Sequence, residues 1–81
     1  MRATVLVRPK PGILDPQGEA VESSLRQLGF TVEQARVGRV VDLQLGEAAD
    51  PEQARAELER MCEQLLANPL IESYEITVSQ Q

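Results

Sequence analysis

Few side chains of this chain could carry out chemistry, and most of them are of one kind. Its 81 residues include 13 acidic and 8 basic side chains, one cysteine (Cys62) and no histidine. Histidine is the commonest general base and metal ligand at neutral pH, and a cysteine nucleophile normally needs a base beside it. Metal sites built on thiolates use several ligands, which a lone cysteine does not supply. The sequence therefore predicts no catalytic residue and no site for a metal or cofactor, and Cys62 is predicted to be a core residue.

The densest acidic group is predicted to lie on a helix. Glu57, Glu59 and Glu63 could form an acid cluster, but Arg55 and Arg60 lie among them. Mixed charges along a helix are typical of a solvated surface. We interpret this group as surface rather than as a catalytic pair.

The glycine- and proline-rich stretch Lys-Pro-Gly-Ile-Leu-Asp-Pro-Gln-Gly at residues 10–18 is the only candidate phosphate loop. It has neither the Walker nor the dinucleotide-binding spacing. Backbone amides at a helix start can attract an anion. Here Asp15 is predicted to occupy that position with its own negative charge, so we expect no phosphate site.

The net charge and the chain length argue against several classes of function. The net charge of −5 argues against nucleic acid, because phosphates require a basic surface. No apolar run approaches the roughly 20 residues that span a bilayer, and the amino terminus lacks a secretory pattern. We expect a single domain over residues 1–81, located in the cytoplasm, without a membrane partner. A compact chain of this length has a radius of gyration of roughly 12 Å.

Two Asp-Pro steps divide the chain into similar halves. Asp15-Pro16 and Asp50-Pro51 each combine a favoured N-cap with a proline suited to the first helical position. They predict one helix over residues 16–28 and a second from residue 51 to the Asn68-Pro69 stop. The apolar face of the first helix comprises Val21, Leu25 and Leu28. That of the second comprises Ala54, Leu58, Met61 and Leu65, broadened by Cys62 and Leu66.

Alternating apolar residues predict four strands. The first lies at residues 3–8, the third at 41–45 and the fourth at 73–78. The second, at residues 30–37, alternates imperfectly and requires a bulge near residues 33–34. Residues 46–49 are predicted to be the loop before the second helix.

The order βαββαβ predicts an α+β fold with a four-stranded antiparallel sheet and two helices on one face, the ferredoxin-like plan. Right-handed crossovers bring the end of strand one, the start of helix one, the Gly38 turn and the start of strand four to one rim. Four of the eight positive charges lie there, which favours a surface for subunit contact. The rim comprises Arg8, Lys10, Asp15, Arg36, Arg39 and Asn68.

Four segments together resemble the PurS family, the small subunit of phosphoribosylformylglycinamidine synthase. They are residues 10–18, Arg-Val-Gly-Arg at 36–39, Met-Cys-Glu-Gln-Leu-Leu-Ala-Asn-Pro at 61–69, and Leu-Ile-Glu-Ser-Tyr-Glu-Ile at 70–76. The resemblance covers nearly the whole chain. Relatives have lysine after the turn glycine where this chain has Arg39, which keeps the charge but changes hydrogen-bond geometry.

The resemblance implies a non-catalytic assembly subunit in purine biosynthesis. It implies two partners, a glutaminase subunit that releases ammonia and a synthetase subunit that uses ATP, magnesium and that ammonia. It also implies a homodimer or homotetramer.

Two alternatives remain open at this point. An ACT-like module that senses a small ligand would share the topology, with modest support from Gly12 and Gly18 in the first strand–helix connection. An acylphosphatase-like enzyme would need a glycine-rich loop after strand one, where this chain has Pro9-Lys10-Pro11.

Overall fold

Three strands and two helices form an α+β fold in the computed structural model, which describes residues 1–46 and 50–79. The elements in chain order are β1 (Arg2–Pro9), α1 (Pro16–Gln27), β2 (Arg39–Gln44), α2 (Pro51–Met61), a π-helical turn (Cys62–Leu66) and β3 (Glu72–Ser79). The predicted loop at residues 46–49 falls mostly outside the described residues. No described helix is long and apolar enough to cross a membrane.

The sheet has the order β2-β1-β3, with β1 antiparallel to both neighbours. Val5 pairs with Val41 on one side and with Ile76 on the other, so these three side chains share the inner face. Strands alternate sides at every residue, which is why Ala3, Val5 and Val7 are all buried. The predicted antiparallel arrangement is confirmed for these three strands.

Both helix starts are confirmed. A side-chain oxygen of Asp15 accepts from the amide of Gly18, and one of Asp50 accepts from the amide of Glu52, each at 3.0 Å. Each is followed by proline at the first helical position. These caps satisfy amides that have no partner within the helix.

The predicted second strand, at residues 30–37, is wrong. The structure gives these residues no strand pairing and places them beside α1. The Phe30 amide donates to the Leu25 carbonyl at 3.0 Å, and the Arg26 side chain donates to the carbonyls of Val32 and Glu33. Their imperfect alternation offers no continuous apolar face to a sheet, while the helix supplies partners for their backbone. The described sheet therefore has three strands rather than four.

The expectation that both helices cover one face of the sheet also needs correction. Within residues 1–46 and 50–79, α2 and the π-helical turn cover the inner face, whereas α1 makes at most marginal contact with the sheet. Together, α1 and the returning residues 28–38 form a projection that we call the arm. The chain measures 50 × 27 × 14 Å, and its radius of gyration is 16.0 Å rather than the roughly 12 Å expected of a compact chain.

The buried row of the second helix differs from the predicted one. Ala54, Leu58 and Cys62 are buried, whereas Met61 is 36% exposed and Leu65 is 83% exposed. The π-helical turn at Cys62–Leu66 changes the helical pitch there, because its hydrogen bonds span five residues instead of four. Cys62 is a core residue, as predicted.

Candidate interaction rim

The residues predicted to share one rim do lie close together. The end of β1, the start of α1, residues 36–39 and the turn before β3 are linked by hydrogen bonds between chain-distant residues. The missing second strand does not prevent this, because residues 36–38 return to β1 beside Asp15. The side chains of Asp15, Arg36 and Arg39 turn out to make hydrogen bonds to distant parts of the chain.

Asp15 joins the start of α1 to the end of the arm. One carboxylate oxygen accepts from the Gly18 amide at 3.0 Å, and the other accepts from the Val37 amide at 2.8 Å. These bonds, first that from Val37 and then that from Gly18, hold the pKa of Asp15 below its ordinary value of 3.8. Arg36 nearby acts in the same direction. An ionised carboxylate at this position therefore stabilises the arm rather than binding a ligand.

Replacing Asp15 by asparagine is expected to lower the melting temperature by about 5 °C, the effect of losing one hydrogen bond in a domain of this size. An amide has one acceptor oxygen, so its NH2 group would face a backbone N–H. Asp50→Asn is the matched control, because only one hydrogen bond to the Asp50 carboxylate, from the Glu52 amide, forms in the described structure. Equal melting temperatures for the two variants, measured by circular dichroism at equal concentration, would contradict the double role of Asp15.

The lowered pKa of Asp15 predicts that the stability of the fold depends on pH. Because its pKa is lowered on folding, its stabilisation is present above its unfolded pKa and is lost as the pH falls through the folded value. The wild-type melting temperature should therefore fall more steeply below pH 4 than that of Asp15→Asn. Parallel curves for the two proteins would contradict this expectation.

Arg36 ties the arm to the end of β1. Its guanidinium donates to the carbonyl oxygens of Pro9 and Lys10, the latter at 2.7 Å. A guanidinium presents several donors in one plane, which suits two adjacent carbonyls. Arg36 therefore fixes the direction in which the arm leaves the sheet.

Arg39 closes the other side of the rim. Its guanidinium binds both carboxylate oxygens of Glu72, at 2.7 and 3.1 Å, and also donates to the Leu66 carbonyl. The amide of Asn68 donates to the same carboxylate at 2.7 Å. The Arg39 hydrogen bond, followed by that from Asn68, lowers the pKa of Glu72. Sequence reasoning missed Glu72 as a member of this network, because Arg39 and Glu72 lie 33 residues apart on strands at opposite sides of β1.

Arg8 and Lys10 are the basic rim residues least engaged within the chain. Arg8 lies 3.6 Å from Glu75 in an exposed pair, and such pairs contribute little. The Lys10 amide donates to Ile71, but its ammonium makes no hydrogen bond or ion pair with any residue in 1–46 or 50–79. Of the four rim cations, these two are therefore the most available to a partner.

A shallow groove of about 480 Å³ runs beside these charges. It is open to solvent and is lined in part by Leu6, Arg8, Arg36 and Val40. Its described lining contains cationic and apolar groups, with no nucleophile beside a base. Among the described residues, no three acidic or cysteine side chains converge as metal ligands would.

The other side chains that could take part in chemistry, Cys62, Glu63 and Tyr74, make contacts that hold the fold together. Burial raises the pKa of the Cys62 thiol, with smaller contributions from Glu63 and Glu59, and so disfavours the reactive thiolate. The Glu63 carboxylate accepts from the Tyr74 hydroxyl at 3.0 Å, which joins the π-helical turn to β3. Neither group lies near a nucleophile–base pair.

Comparisons with known proteins all give the same family, and the matches cover most of the chain. Residues 2–80 match a family model described as PurS, phosphoribosylformylglycinamidine (FGAM) synthase. A PurS subunit of phosphoribosylformylglycinamidine synthase from Synechocystis sp. is 49% identical over 71 residues, which are 86% of this chain and 70% of the relative.

Two solved structures are similar in fold as well as in sequence. PurS from Methanocaldococcus jannaschii, described as one of the subunits of formylglycinamide ribonucleotide amidotransferase in the purine biosynthetic pathway, matches with a TM-score of 0.86 at 36% identity. That match covers 99% of this chain and 96% of the other. A chain in the structure of PurLQS from Thermotoga maritima matches with a TM-score of 0.84 at 34% identity, over 94% of this chain and 93% of that one.

Proposed function

The chain belongs to the PurS family of phosphoribosylformylglycinamidine synthase subunits, and from this premise we propose that it is the non-catalytic assembly subunit of that enzyme. Phosphoribosylformylglycinamidine synthase acts in purine biosynthesis. The observation that carries the proposal is the match of nearly the whole chain to a chain in a PurLQS structure. The rim adds support, because Arg8 and Lys10 leave positive charge there that an acidic partner could meet.

The proposed role is positional. The enzyme converts formylglycinamide ribonucleotide to its amidine with ATP and ammonia from glutamine. A glutaminase subunit releases the ammonia, and a synthetase subunit consumes it with ATP and magnesium. Ammonia that escapes into water becomes ammonium and loses its nucleophilic lone pair. A subunit that holds the two sites together during turnover therefore raises the rate without touching a substrate.

Reconstitution tests this role. The chain alone should show neither ATPase nor glutaminase activity, and adding it to the two larger subunits should restore glutamine-dependent synthesis. Ammonia-dependent synthesis by the synthetase subunit is the matched control, since it needs no transfer between sites. Equal glutamine-dependent rates with and without the chain would contradict the proposal.

The two rim cations least engaged within the chain, Arg8 and Lys10, give a second test. Arg8→Glu with Lys10→Glu is expected to weaken association with the larger subunits about tenfold, mainly through a slower on-rate. The control is Arg60→Glu, an exposed charge reversal on α2. Association is measured by surface plasmon resonance at two salt concentrations. Unchanged binding, with the circular dichroism melt also unchanged, would remove the rim from the contact surface.

A cytoplasmic homodimer or homotetramer fits this role. The sheet has two strand edges, β2 and β3, that could pair or be covered in an assembly. The ferredoxin-like plan would then be approached only in the oligomer, where a second helix could cover the β2 side of the sheet. The alternative of an ACT-like ligand-sensing module receives no support from the comparisons.

A further inference from the structure

Four exposed aliphatic side chains lie on two loops at the rim. Ile13 and Leu14, between β1 and α1, are 37% and 70% exposed. Leu70 and Ile71, in the turn before β3, are 84% and 42% exposed. Single apolar side chains at a surface need no explanation, whereas a contiguous group of them marks a contact site. These four residues therefore indicate a contact site, provided that the two loops meet.

The two loops meet through the backbone of Lys10. Its amide donates to the Ile71 carbonyl at 2.9 Å, and its carbonyl accepts from the Ile13 amide at 3.2 Å. Ile13, Leu14 and Ile71 line one open cleft of about 460 Å³, which we call the aliphatic cleft. Leu70 precedes Ile71 in the same turn. The two loops therefore present one apolar surface, with Lys10 between them.

The core does not use these side chains, yet the fold holds their backbone in place. None of the four is among the described residues that pack against the core cluster around Val5 and Val7. The amides of Ile71 and Glu72 both donate to the Asn68 carbonyl, at 3.1 and 2.8 Å. The aliphatic cleft is therefore preformed, which lowers the entropy cost of binding a partner.

The charges at the aliphatic cleft favour an acidic occupant. Asp15 and Glu72 line it, but both carboxylates already accept hydrogen bonds within the chain. The Lys10 ammonium, by contrast, makes no hydrogen bond or ion pair with the residues described in 1–46 and 50–79. A carboxylate from a partner would therefore meet an uncompensated positive charge beside an aliphatic surface.

We propose that the aliphatic cleft receives a segment of one of the larger subunits of the enzyme, and that this segment carries both aliphatic and carboxylate side chains. An aliphatic anchor packs between Ile13, Leu14 and Ile71, and a carboxylate pairs with Lys10. Water-free contact in a preformed pocket provides the affinity, and the charge raises the association rate. This contact presupposes the assembly role proposed above and gives the chemistry of one of its interfaces.

Variants of Leu14 test the aliphatic cleft against each purified larger subunit by surface plasmon resonance. Leu14→Glu should weaken association with one of them about 100-fold, because it places a negative charge in an apolar contact beside the partner's carboxylate. Leu14→Lys removes the same contact but should cost only about tenfold, since its ammonium can pair with that carboxylate. Leu14→Met is the matched control and should bind like the wild type, because it keeps the apolar volume.

The possible results separate the aliphatic cleft from the assembly role. Equal affinities for Leu14→Glu and Leu14→Lys would show that the occupant is not acidic, and wild-type affinity for both would show that the cleft is not a contact. A changed mass of the isolated Leu14→Glu chain in sedimentation equilibrium would show that another copy covers the cleft. Each of these three results overturns the proposal. A wild type that binds neither larger subunit would instead contradict the assembly role itself.

Labelling of Lys10 tests the same contact without any substitution. Lys10 is the only lysine among the 81 residues. An acetylating ester of N-hydroxysuccinimide should label it about tenfold more slowly in the complex with the larger subunits than in the isolated chain, because the contact excludes water and reagent. The α-amine of Met1, at the opposite end of β1, is the internal reference. Equal rates of Lys10 labelling in both samples, measured by mass spectrometry, would overturn the proposal.

Discussion

Replacing Leu58 with alanine is expected to lower the free energy of unfolding by about 3 kcal/mol. Leu58 is 0% exposed and is among the largest wholly buried side chains of the described chain, with Val5, Val7 and Cys62. Alanine is the better helix former, so the loss would come from packing and not from the helix itself. A chain of this length has a total stability of about 4–12 kcal/mol. The variant should therefore be marginally folded.

Urea unfolding at fixed protein concentration measures this effect. Leu70→Ala is the matched control, because it makes the same change at a side chain that is 84% exposed. The control should stay within about 0.5 kcal/mol of wild type. A loss below about 1 kcal/mol for Leu58→Ala would mean that the core does not centre on this helix.

Gly38→Ala is expected to have the second-largest effect, a loss of about 2–3 kcal/mol or failure to fold. A Cβ at this position would lie 2.2 Å from the Val7 carbonyl oxygen and 3.3 Å from the Arg8 Cα. Both neighbours belong to the backbone of the central strand, so no side-chain rotation relieves the contact. The arm would have to shift away from β1, which would also disturb the Arg36 and Asp15 bonds.

The control for this change is Gly46→Ala, where a Cβ would meet nothing within 4 Å and φ is not in the left-handed region. It should leave stability unchanged or slightly raised, since alanine reduces the freedom of the unfolded chain. The informative measurement is the difference in urea midpoint between the two variants. Similar midpoints would mean that the arm moves freely relative to β1.

The sequence was sufficient for features governed by local rules. Asp15-Pro16 and Asp50-Pro51 predicted both helix starts, because capping depends on a few adjacent residues. Alternation predicted the inner faces of all three observed strands. The rim could also be predicted, because it depends on the direction in which elements enter and leave the sheet.

Features governed by close approach between distant segments could not be predicted in the same way. Gly18 lies in the first turn of α1, where glycine is normally unfavourable. In the structure an added Cβ there would lie 2.4 Å from the Ala35 carbonyl oxygen, so the glycine admits the returning arm. That contact, with Asp15 and Arg26, is what keeps residues 30–37 beside α1 instead of in the sheet.

The buried face of the second helix was also predicted only in part. A regular 3.6-residue repeat predicted Met61 and Leu65 as core residues together with Cys62, whereas only Cys62 of these three is buried, and the π-helical turn that begins there is not visible in the pattern. The candidate rim was predicted from topology and charge, and neither distinguishes Arg36 and Arg39, which hold the chain together, from Lys10, whose side chain does not.

The elongated shape of the chain gives it a longer reach than a compact chain of the same mass would have. A sphere containing 81 residues would be about 30 Å across. This chain reaches 50 Å along its longest axis because a helix and its return segment project from the sheet as a braced strut. A small polypeptide built in this way can bridge bodies that a sphere of equal mass could not touch together, and the length of the strut sets the gap between them.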